Sequence, residues 1–412
     1  MNNRITALIA DSHGNIFDVP EFEAVGRVGE KFFKLKPENL IKLPESADLM
    51  FLPNRKAVGF KRGEFLPLKG RAVSAILPQG YTRTHLPAFK RDNNAKILPL
   101  YGYTAVALYR DELYCAALYT DENFKWDPAH YNGRELKKFI RRVKKDLPDN
   151  RIVEHVAHCS TEWHCLTAQN LFYRRWECGI PTSPTCNANC LGCISLQSSE
   201  CCPSPQSRIN FKPTPEEIAD IGIYHLSHAK DAIISFGQGC EGEPSLQSEN
   251  ICAAIEKIRQ KTARGQININ TNAGFTAGIK KIVDAGLNSM RVSIISADVE
   301  NYQKYYRAAY NFDAVKNSIA YALSKNVHVS LNMLYMPGFN DRIAEFDAWK
   351  NFLSELPVQM IQVRNLNYDP DEFFKIMPHD ENFLGTQRFL RELQKKFPTL
   401  TIGNFSHYIY DA

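Results

Sequence analysis

Three cysteines lie close together near the middle of the sequence, at Cys186, Cys190 and Cys193. Three thiolates on one short loop can bind three irons of a cubane cluster. A structural zinc site instead takes four ligands, usually as two C-x2-C pairs. Three protein ligands leave the fourth iron of the cluster with an open coordination position, and a catalytic cluster needs such a position to bind another molecule. The spacing therefore predicts a [4Fe–4S] cluster with a free coordination site, and zinc binding is the alternative.

Polar segments follow the triplet at the ends of successive predicted strands. These segments are Glu241-Gly242-Glu243-Pro244, Asn270-Thr271-Asn272, the pair Ser293 and Ser296, and the turn at 336–341, which contains Pro337 and Gly338. In barrel folds the functional residues cluster at the C-terminal ends of the strands. The pattern therefore predicts that these segments surround a single site.

In this order, the triplet and the later segments resemble the radical S-adenosylmethionine (radical SAM) superfamily, over roughly residues 172–405. The resemblance implies an enzyme whose cluster, on Cys186, Cys190 and Cys193, reductively cleaves S-adenosylmethionine to methionine and a 5′-deoxyadenosyl radical. That radical abstracts hydrogen from a substrate. The sequence departs from the family at Gly192, where relatives carry an aromatic residue, and at Glu241, where they carry glycine. The resemblance implies that S-adenosylmethionine is contacted by Gly242, Glu243, Asn270, Asn272, Ser293, Ser296, Pro337 and Gly338.

Strand-like and helix-like segments alternate from about residue 210 onward. Strands are predicted at 232–236, 266–270, 290–296, 327–335, 360–367 and 400–402, after a first strand at 172–177. Helices are predicted at 246–264, 276–285, 313–325, 342–356 and 382–397. This alternation predicts βαβ units on a parallel sheet. We therefore expect an α/β fold, a partial (β/α)6 TIM-like barrel, over residues 179–412.

The first 150 residues differ from the rest, with hairpin-like alternation and frequent prolines. They predict an N-terminal β-rich α+β domain of short strands at 1–150, an accessory or substrate domain. A connecting helix at 151–171 and the first strand then fill residues 151–178.

Eight cysteines lie outside the triplet. On the predicted connecting helix, His155, Cys159 and Glu162 recur at i, i+4 and i+7, and Cys165 follows three residues further on, so they share one face. Together with Cys201 and Cys202, Cys159 and Cys165 are candidates for a second iron–sulfur cluster or a structural metal; packed core thiols are the alternative. Cys240 precedes the Glu241 turn and is a candidate catalytic hydrogen donor or acceptor, although a small apolar residue at a strand end is the favoured interpretation.

Positive charge is concentrated in the N-terminal third, where residues 1–150 hold 25 Lys and Arg against 18 Asp and Glu. A basic helix at 134–145 can bind RNA phosphates or an acidic flavodoxin- or ferredoxin-type electron donor, although a solvated face is the commoner explanation. This basic N-terminal domain suits a substrate that is either RNA or a polypeptide, meaning a peptide or a protein. The alternative function is a non-enzymatic iron–sulfur or zinc protein, an electron carrier or scaffold.

The overall composition is that of a globular protein, with 44% hydrophobic and 23% charged residues among 412. No apolar run approaches the roughly 20 residues needed to cross a bilayer, so no membrane association is expected. The N-terminal apolar run is too short for a signal peptide, which predicts a cytoplasmic location. In that reducing compartment the 11 cysteines are expected to be metal ligands or thiols.

Overall fold

The computed structural model describes residues 4–197, 204–379 and 382–409. Its N-terminal part is antiparallel, with most strands in one sheet of order β3-β2-β5-β6-β1-β10-β11-β4. The strands are β1 (Thr6–Ala10), β2 (Ile16–Val28), β3 (Lys31–Lys34), β4 (Ile41–Lys42), β5 (Asp48–Lys61), β6 (Glu64–Ile76), β7 (Tyr81–Arg83), β8 (Leu86–Pro87), β9 (Phe89–Arg91), β10 (Tyr103–Tyr109), β11 (Glu112–Cys115) and β12 (Ala117–Tyr119). The predicted β-rich N-terminal region is confirmed.

The prediction that these strands are short was wrong for three of them. Strands β2, β5 and β6 are 13 or 14 residues long, although prolines lie within them. Pro20 lies where β2 shifts register against β1, and Pro53 lies where β5 shifts register against β6. Such irregular positions tolerate the missing N–H group, so the strands continue past the prolines.

Three helices connect this sheet to the rest of the chain: α1 (Leu136–Asp146), α2 (Arg151–Thr161) and α3 (Leu166–Tyr173). A single helix at 151–171 was therefore a wrong prediction. His164 adopts a left-handed backbone conformation, with φ of 49°, so the chain turns and α3 begins anew after Cys165. Residues 172 and 173 complete α3, and the predicted first strand begins only at Arg175.

Within the described residues, seven parallel strands form the second large sheet, in sequence order from β13 to β19. The elements are β13 (Arg175–Gly179), α4 (Pro215–His228), β14 (Lys230–Phe236), α5 (Ser248–Lys261), β15 (Gln266–Thr271), α6 (Thr276–Asp284), β16 (Ser289–Ser293), α7 (Val299–Tyr306), α8 (Phe312–Ser324), β17 (His328–Tyr335), α9 (Ile343–Glu355), β18 (Met360–Asn365), α10 (Pro370–Phe374), α11 (Thr386–Lys396) and β19 (Thr401–Gly403). The expected α/β partial barrel is confirmed.

The two faces of this sheet differ in polarity because side chains alternate along each strand. On β15, Ile267 and Ile269 pack into the apolar core together with residues of the surrounding helices. Asn268, between them, faces the other way, where its side chain bonds to the hydroxyl groups of Ser235 and Ser289 on the neighbouring strands. The concave interior of the partial barrel is therefore lined by polar groups.

The N-terminal sheet is fixed over one side of the partial barrel by arginines that are buried or partly buried. Three arginine–carboxylate pairs join it to the segment after β18: Arg55–Asp369 at 2.8 Å, Arg27–Asp371 at 2.7 Å and Arg91–Glu372 at 2.6 Å. Buried Arg83 also donates to the carbonyl oxygens of Tyr335 and Leu366, at 3.2 and 2.9 Å. The sheet thus covers the C-terminal ends of β17 and β18.

None of the helices in the described ranges combines the length and apolar character needed to span a membrane.

Candidate active site

The loop after β13 carries Cys186, Cys190 and Cys193, all partly buried and all free thiols. The backbone N–H groups of Asn189 and Leu191 donate to carbonyl oxygens at the end of α7, at 2.9 and 3.0 Å. These bonds fix the middle of the loop to an element that follows β16. The loop therefore lies across the C-terminal edge of the parallel sheet, where barrel folds place their functional residues.

The three thiols differ in their electrostatic surroundings. Burial raises the pKa of Cys186 to about 11, and it also raises the pKa of Cys190. Burial acts in the same direction on Cys193, but hydrogen bonds from Ser195 and the charge of Arg208 hold the pKa of that thiol below its ordinary value. The Arg208 Nη2 atom lies 3.5 Å from the Cys193 sulfur. Cys193 is thus favoured as a thiolate, the form that binds metal.

The spread of the three sulfur atoms favours several irons over a single ion. They do not all lie within 4.8 Å of one another. Ligands of a cubane cluster each bind a different iron, so they stand further apart than ligands that share one ion. The arrangement fits a [4Fe–4S] cluster better than the zinc alternative.

The turn at Gly242 lies directly against the start of the cysteine loop. Its N–H group donates to the Ser183 carbonyl at 2.7 Å, and the N–H group of Glu243 donates to the Thr185 carbonyl at 2.8 Å. A Cβ atom on Gly242 would lie 2.0 Å from the Thr185 oxygen. Only glycine permits this approach, which brings the turn beside Cys186.

A chain of hydrogen bonds extends from this turn to the end of β15. The Glu243 carboxylate accepts from the N–H groups of Ser245 and Asn272, at 3.1 and 2.8 Å, and from the Thr271 hydroxyl. The Asn272 amide in turn donates to the side-chain oxygen of Asn187 at 2.7 Å. Three separate segments are therefore joined around the cysteine loop.

Asn270 and Ser293 lie at the same edge of the sheet. The Asn270 amide donates to the Gly237 carbonyl at 3.1 Å and accepts from the Asn268 side chain. Ser293, the last residue of β16, is partly buried and pairs with Asn332 of β17. Asn270 and Ser293, both predicted to contact the cofactor, therefore lie at the edge of the parallel sheet that the cysteine loop crosses.

Residues 180–349 match the family model of the radical SAM superfamily, and this range contains the cysteine loop and every segment just described. This segment of the chain belongs to the radical SAM superfamily. The protein is an enzyme, and the match implies a [4Fe–4S] cluster and S-adenosylmethionine.

Similar sequences include proteins of known and unknown activity. A protein of Methanocaldococcus jannaschii without an assigned function is 27% identical over 61% of this chain and 80% of its own length. The GTP 3′,8-cyclase of Aquifex aeolicus is 27% identical over 39% of this chain and 48% of its own length. The corresponding cyclase of Corynebacterium glutamicum strain R is 26% identical over 43% and 48%. The chain thus spans about half the length of these cyclases.

Similar solved structures include radical SAM proteins at low identity. Methylornithine synthase is 21% identical over 65% of this chain and 77% of its own, with a TM-score of 0.39. SuiB of Streptococcus suis, bound to S-adenosylmethionine, is 12% identical over 66% and 61%, with a TM-score of 0.41.

Other residues predicted to contact S-adenosylmethionine are engaged elsewhere in this radical SAM fold. Ser296 is buried and donates to the Glu345 carboxylate of α9, at 2.8 and 2.9 Å from its two oxygens. The Pro337 carbonyl accepts from the N–H group of Gly29, and a Cβ atom on Gly338 would lie 2.0 Å from that nitrogen. These positions contact the scaffold and the N-terminal domain, and their contact with the nucleotide stays a prediction.

The predicted auxiliary cysteines are only partly brought together. Cys159 lies 3.6 Å from His155 Nε2, and these two form a group with Cys240 in which all ligand atoms lie within 4.8 Å of one another. Cys165, at the start of α3, donates its N–H group to the Cys159 carbonyl but is not a member of that group. Cys201 and Cys202 lie outside the described residues.

Both departures from the family pattern have a structural counterpart. The carboxylate of Glu241 is buried and accepts from four backbone N–H groups at 2.7 to 3.0 Å. Two of these groups lie just after the end of β13 and two just after the end of β14. At Gly192 a Cβ atom would lie 3.1 Å from the Tyr305 hydroxyl and 3.6 Å from the Tyr368 ring. Aromatic side chains from other elements therefore occupy the surroundings of Gly192.

Sequence reasoning missed Arg208 and Ser195, which contact the Cys193 sulfur. Arg208 lies 15 residues beyond that cysteine, and no spacing rule connects the two. Ser195 follows the triplet closely, and a hydroxyl two residues after a metal-binding cysteine is a signal that was available.

Proposed function

We propose that Cys186, Cys190 and Cys193 hold a [4Fe–4S] cluster with which this enzyme reductively cleaves S-adenosylmethionine. When bound, the cluster and S-adenosylmethionine supply the 5′-deoxyadenosyl radical that abstracts hydrogen from the substrate. The observation that carries the proposal is the three-thiol loop, which backbone hydrogen bonds fix at its start and in its middle and which lies against the Gly242 turn. A flavodoxin- or ferredoxin-type reductant stays a prediction.

The protein's own residues orient and protect this centre. Arg208 and Ser195 favour the thiolate of Cys193. Glu243 and Asn272 hold the ends of β14 and β15 beside the loop, so donors and acceptors at those ends keep fixed positions. The N-terminal sheet covers one side of the barrel and limits the access of water, which protects reactive species.

We further propose that the substrate carries an anionic group. A cavity of about 110 Å³ inside the partial barrel is lined by residues that include Arg291, Arg364, Glu177 and Asn332. Two guanidinium groups face one carboxylate there, which leaves an excess of positive charge. Burial lowers the pKa of Arg364 to about 10, and the charge of Arg291 adds to this effect. A carboxylate or phosphate group in this cavity would relieve the unfavourable burial of like charges.

A cavity of about 110 Å³ admits one small anionic group, which favours a small molecule over the RNA or peptide substrates predicted from the basic helix. The similarity to GTP 3′,8-cyclases makes a nucleotide one candidate. Two basic groups of α1 already have partners: Lys138 pairs with Glu135, and Lys144 pairs with Glu154. If α1 bound RNA, affinity would fall steeply with salt, and a flat salt dependence would reject that substrate.

The cleavage activity is tested by loading the anaerobically purified chain with iron and sulfide, then adding S-adenosylmethionine and dithionite. We expect 5′-deoxyadenosine from the wild type and none from the Cys186→Ala/Cys190→Ala/Cys193→Ala variant. Cys252→Ala, which removes a thiol on α5 away from the loop, is the matched control and should retain activity. A fully loaded wild type that neither binds nor cleaves S-adenosylmethionine would favour the carrier or scaffold alternative.

The substrate class is tested with inorganic phosphate as the probe. We expect phosphate to raise the thermal unfolding midpoint of the wild type, because a ligand that binds only the folded state stabilises it. Arg364→Gln should abolish this shift, whereas Arg388→Gln, an exposed arginine on α11, should leave it unchanged. Equal shifts in all three proteins would contradict an anion site in the barrel interior.

A further inference from the structure

A second group of metal-ligating side chains lies apart from the cysteine loop. His155 and Cys159 stand one helical turn apart on α2, and Cys240 lies in the turn that follows β14. The His155 Nε2 and Cys159 Sγ atoms are 3.6 Å apart, and the Cys240 sulfur lies within 4.8 Å of both. The fold thus brings two donor atoms on one helix together with a third from a residue more than 80 positions further along the sequence.

These distances fit one tetrahedral ion. A zinc ion about 2.3 Å from sulfur and about 2.0 Å from nitrogen, with tetrahedral angles, holds those two atoms about 3.5 Å apart. The sulfur–nitrogen distance in the structure is 3.6 Å, close to this value. Ligands of a cubane cluster bind different irons and stand further apart. The group therefore suits a mononuclear site and not a second iron–sulfur cluster.

The surroundings of the group also suit a metal site. Cys159 and Cys240 are 1% and 7% exposed, while His155 is only partly buried and leaves a path to solvent. Cys165 is adjacent through its N–H bond to the Cys159 carbonyl.

We propose that His155, Cys159 and Cys240 bind a single Zn²⁺ ion, with Cys165 or a water molecule as the fourth ligand. Two thiolates and an imidazole are the donors that zinc prefers at structural sites. The site is independent of the proposed S-adenosylmethionine cleavage, since none of its ligands belongs to the cysteine loop.

The ion would connect α2 to the turn that shapes the cysteine loop. Cys240 directly precedes Glu241, whose carboxylate accepts from the N–H groups of Thr182 and Ser183 just before the loop. The Glu241 carbonyl also accepts from the Ser195 hydroxyl, which contacts Cys193. A metal at Cys240 would therefore stabilise the backbone on both sides of the loop.

The test uses the full chain with Cys186, Cys190 and Cys193 replaced by alanine, so that the loop cannot bind metal. After treatment with a chelator without oxygen, Co²⁺ and then Zn²⁺ are added. We expect one Co²⁺ per chain, with the absorption of a tetrahedral thiolate-bound ion, displaced by one Zn²⁺. Adding Cys159→Ser and Cys240→Ser should abolish binding, and His155→Gln should weaken it at least tenfold. Cys252→Ser should have no effect.

A second measurement does not depend on the folding of those variants. In the same loop-substituted chain, the thiols that Zn²⁺ protects from alkylation are identified by mass spectrometry. Protection of Cys159 and Cys240, with Cys252 still reactive, is the expected result. The proposal is overturned if the folded chain binds no Co²⁺, if Zn²⁺ protects Cys201 and Cys202 but not Cys159 and Cys240, or if these residues hold iron and sulfide.

Discussion

The two cysteine groups of this protein are built in opposite ways. Cys186, Cys190 and Cys193 lie within eight consecutive residues, on a loop that backbone hydrogen bonds fix at its start and in its middle. His155, Cys159 and Cys240 come from a helix and a distant turn, yet their donor atoms lie within 4.8 Å of one another. The neighbours in sequence are thus the more widely spread in space.

This difference follows from what each group can bind. A loop with short spacing can present separate thiols to separate irons, and its pattern is visible in the sequence. A compact site for one ion needs donors that converge from several directions, which a helix and a turn supply only after folding. Four predictions test whether the two groups are separate sites on a shared scaffold.

The largest effect is expected from Cys186→Ala. Removal of one of three iron ligands should abolish the formation of 5′-deoxyadenosine and release most of the loop-bound iron. Zinc content should stay at one per chain, because Cys186 is not a ligand of the second group. Cys240→Ala is the reciprocal control: it should lose zinc and keep the iron of the loop. Loss of both metals in either variant would show that the sites are not separate.

A smaller but still severe effect is expected from Gly242→Ala. The added Cβ atom would lie 2.0 Å from the Thr185 oxygen, so the turn or the cysteine loop must move. Overpacking of this kind costs about 1–3 kcal/mol. We expect reduced iron content and slow formation of 5′-deoxyadenosine. Gly133→Ala, where the nearest atom to a new Cβ is the Tyr173 hydroxyl at 3.2 Å, should leave both quantities near the wild-type values.

A moderate effect is expected from Glu241→Gln, which alters the residue between the two groups. An amide nitrogen cannot accept from the backbone N–H groups that this carboxylate binds. The free energy of unfolding should therefore fall by about 2 kcal/mol. Urea unfolding of the metal-free protein measures this change. Glu249→Gln, at an exposed ion pair on α5, should change stability by less than about 0.5 kcal/mol.

The smallest expected effect is a pH dependence of stability, caused by a buried histidine of the scaffold that holds both cysteine groups. His225 of α4 donates to the carbonyl of Trp176, a bulged residue of β13 with φ of 50°. Burial lowers the pKa of His225 to about 4, below its ordinary value of 6.5. The unfolded chain therefore binds the proton more readily, and stability falls as pH decreases from 6.5 towards 4.

At pH 5.5 this loss amounts to about 1 kcal/mol relative to neutral pH. The measurement is the unfolding free energy of metal-free wild type and His225→Gln at pH 7.5 and 5.5. The gap between the two proteins should narrow at the lower pH. A gap that stays constant would mean that His225 does not titrate differently in the folded and unfolded chains.

Most of the partial barrel was predictable because its strands and helices alternate with clear periods. The errors lie where local geometry overrides the pattern. The predicted single helix is divided into α2 and α3 because His164 takes a left-handed conformation. Two prolines lie at register shifts within long strands and do not end them. The contact of Arg208 with Cys193 and the clamp of Arg55 on Asp369 join residues with no periodic relation.

The sequence by itself determined the cysteine loop, the order of the polar strand ends and the α/β class, since each depends on short spacing or on a repeated period. Tertiary structure alone decided which strand-end residues face the interior and that the N-terminal sheet covers β17 and β18. It also decided that Cys240 meets His155 and Cys159. The physical reason is that burial and convergence depend on chain segments far apart, whose packing no local pattern encodes.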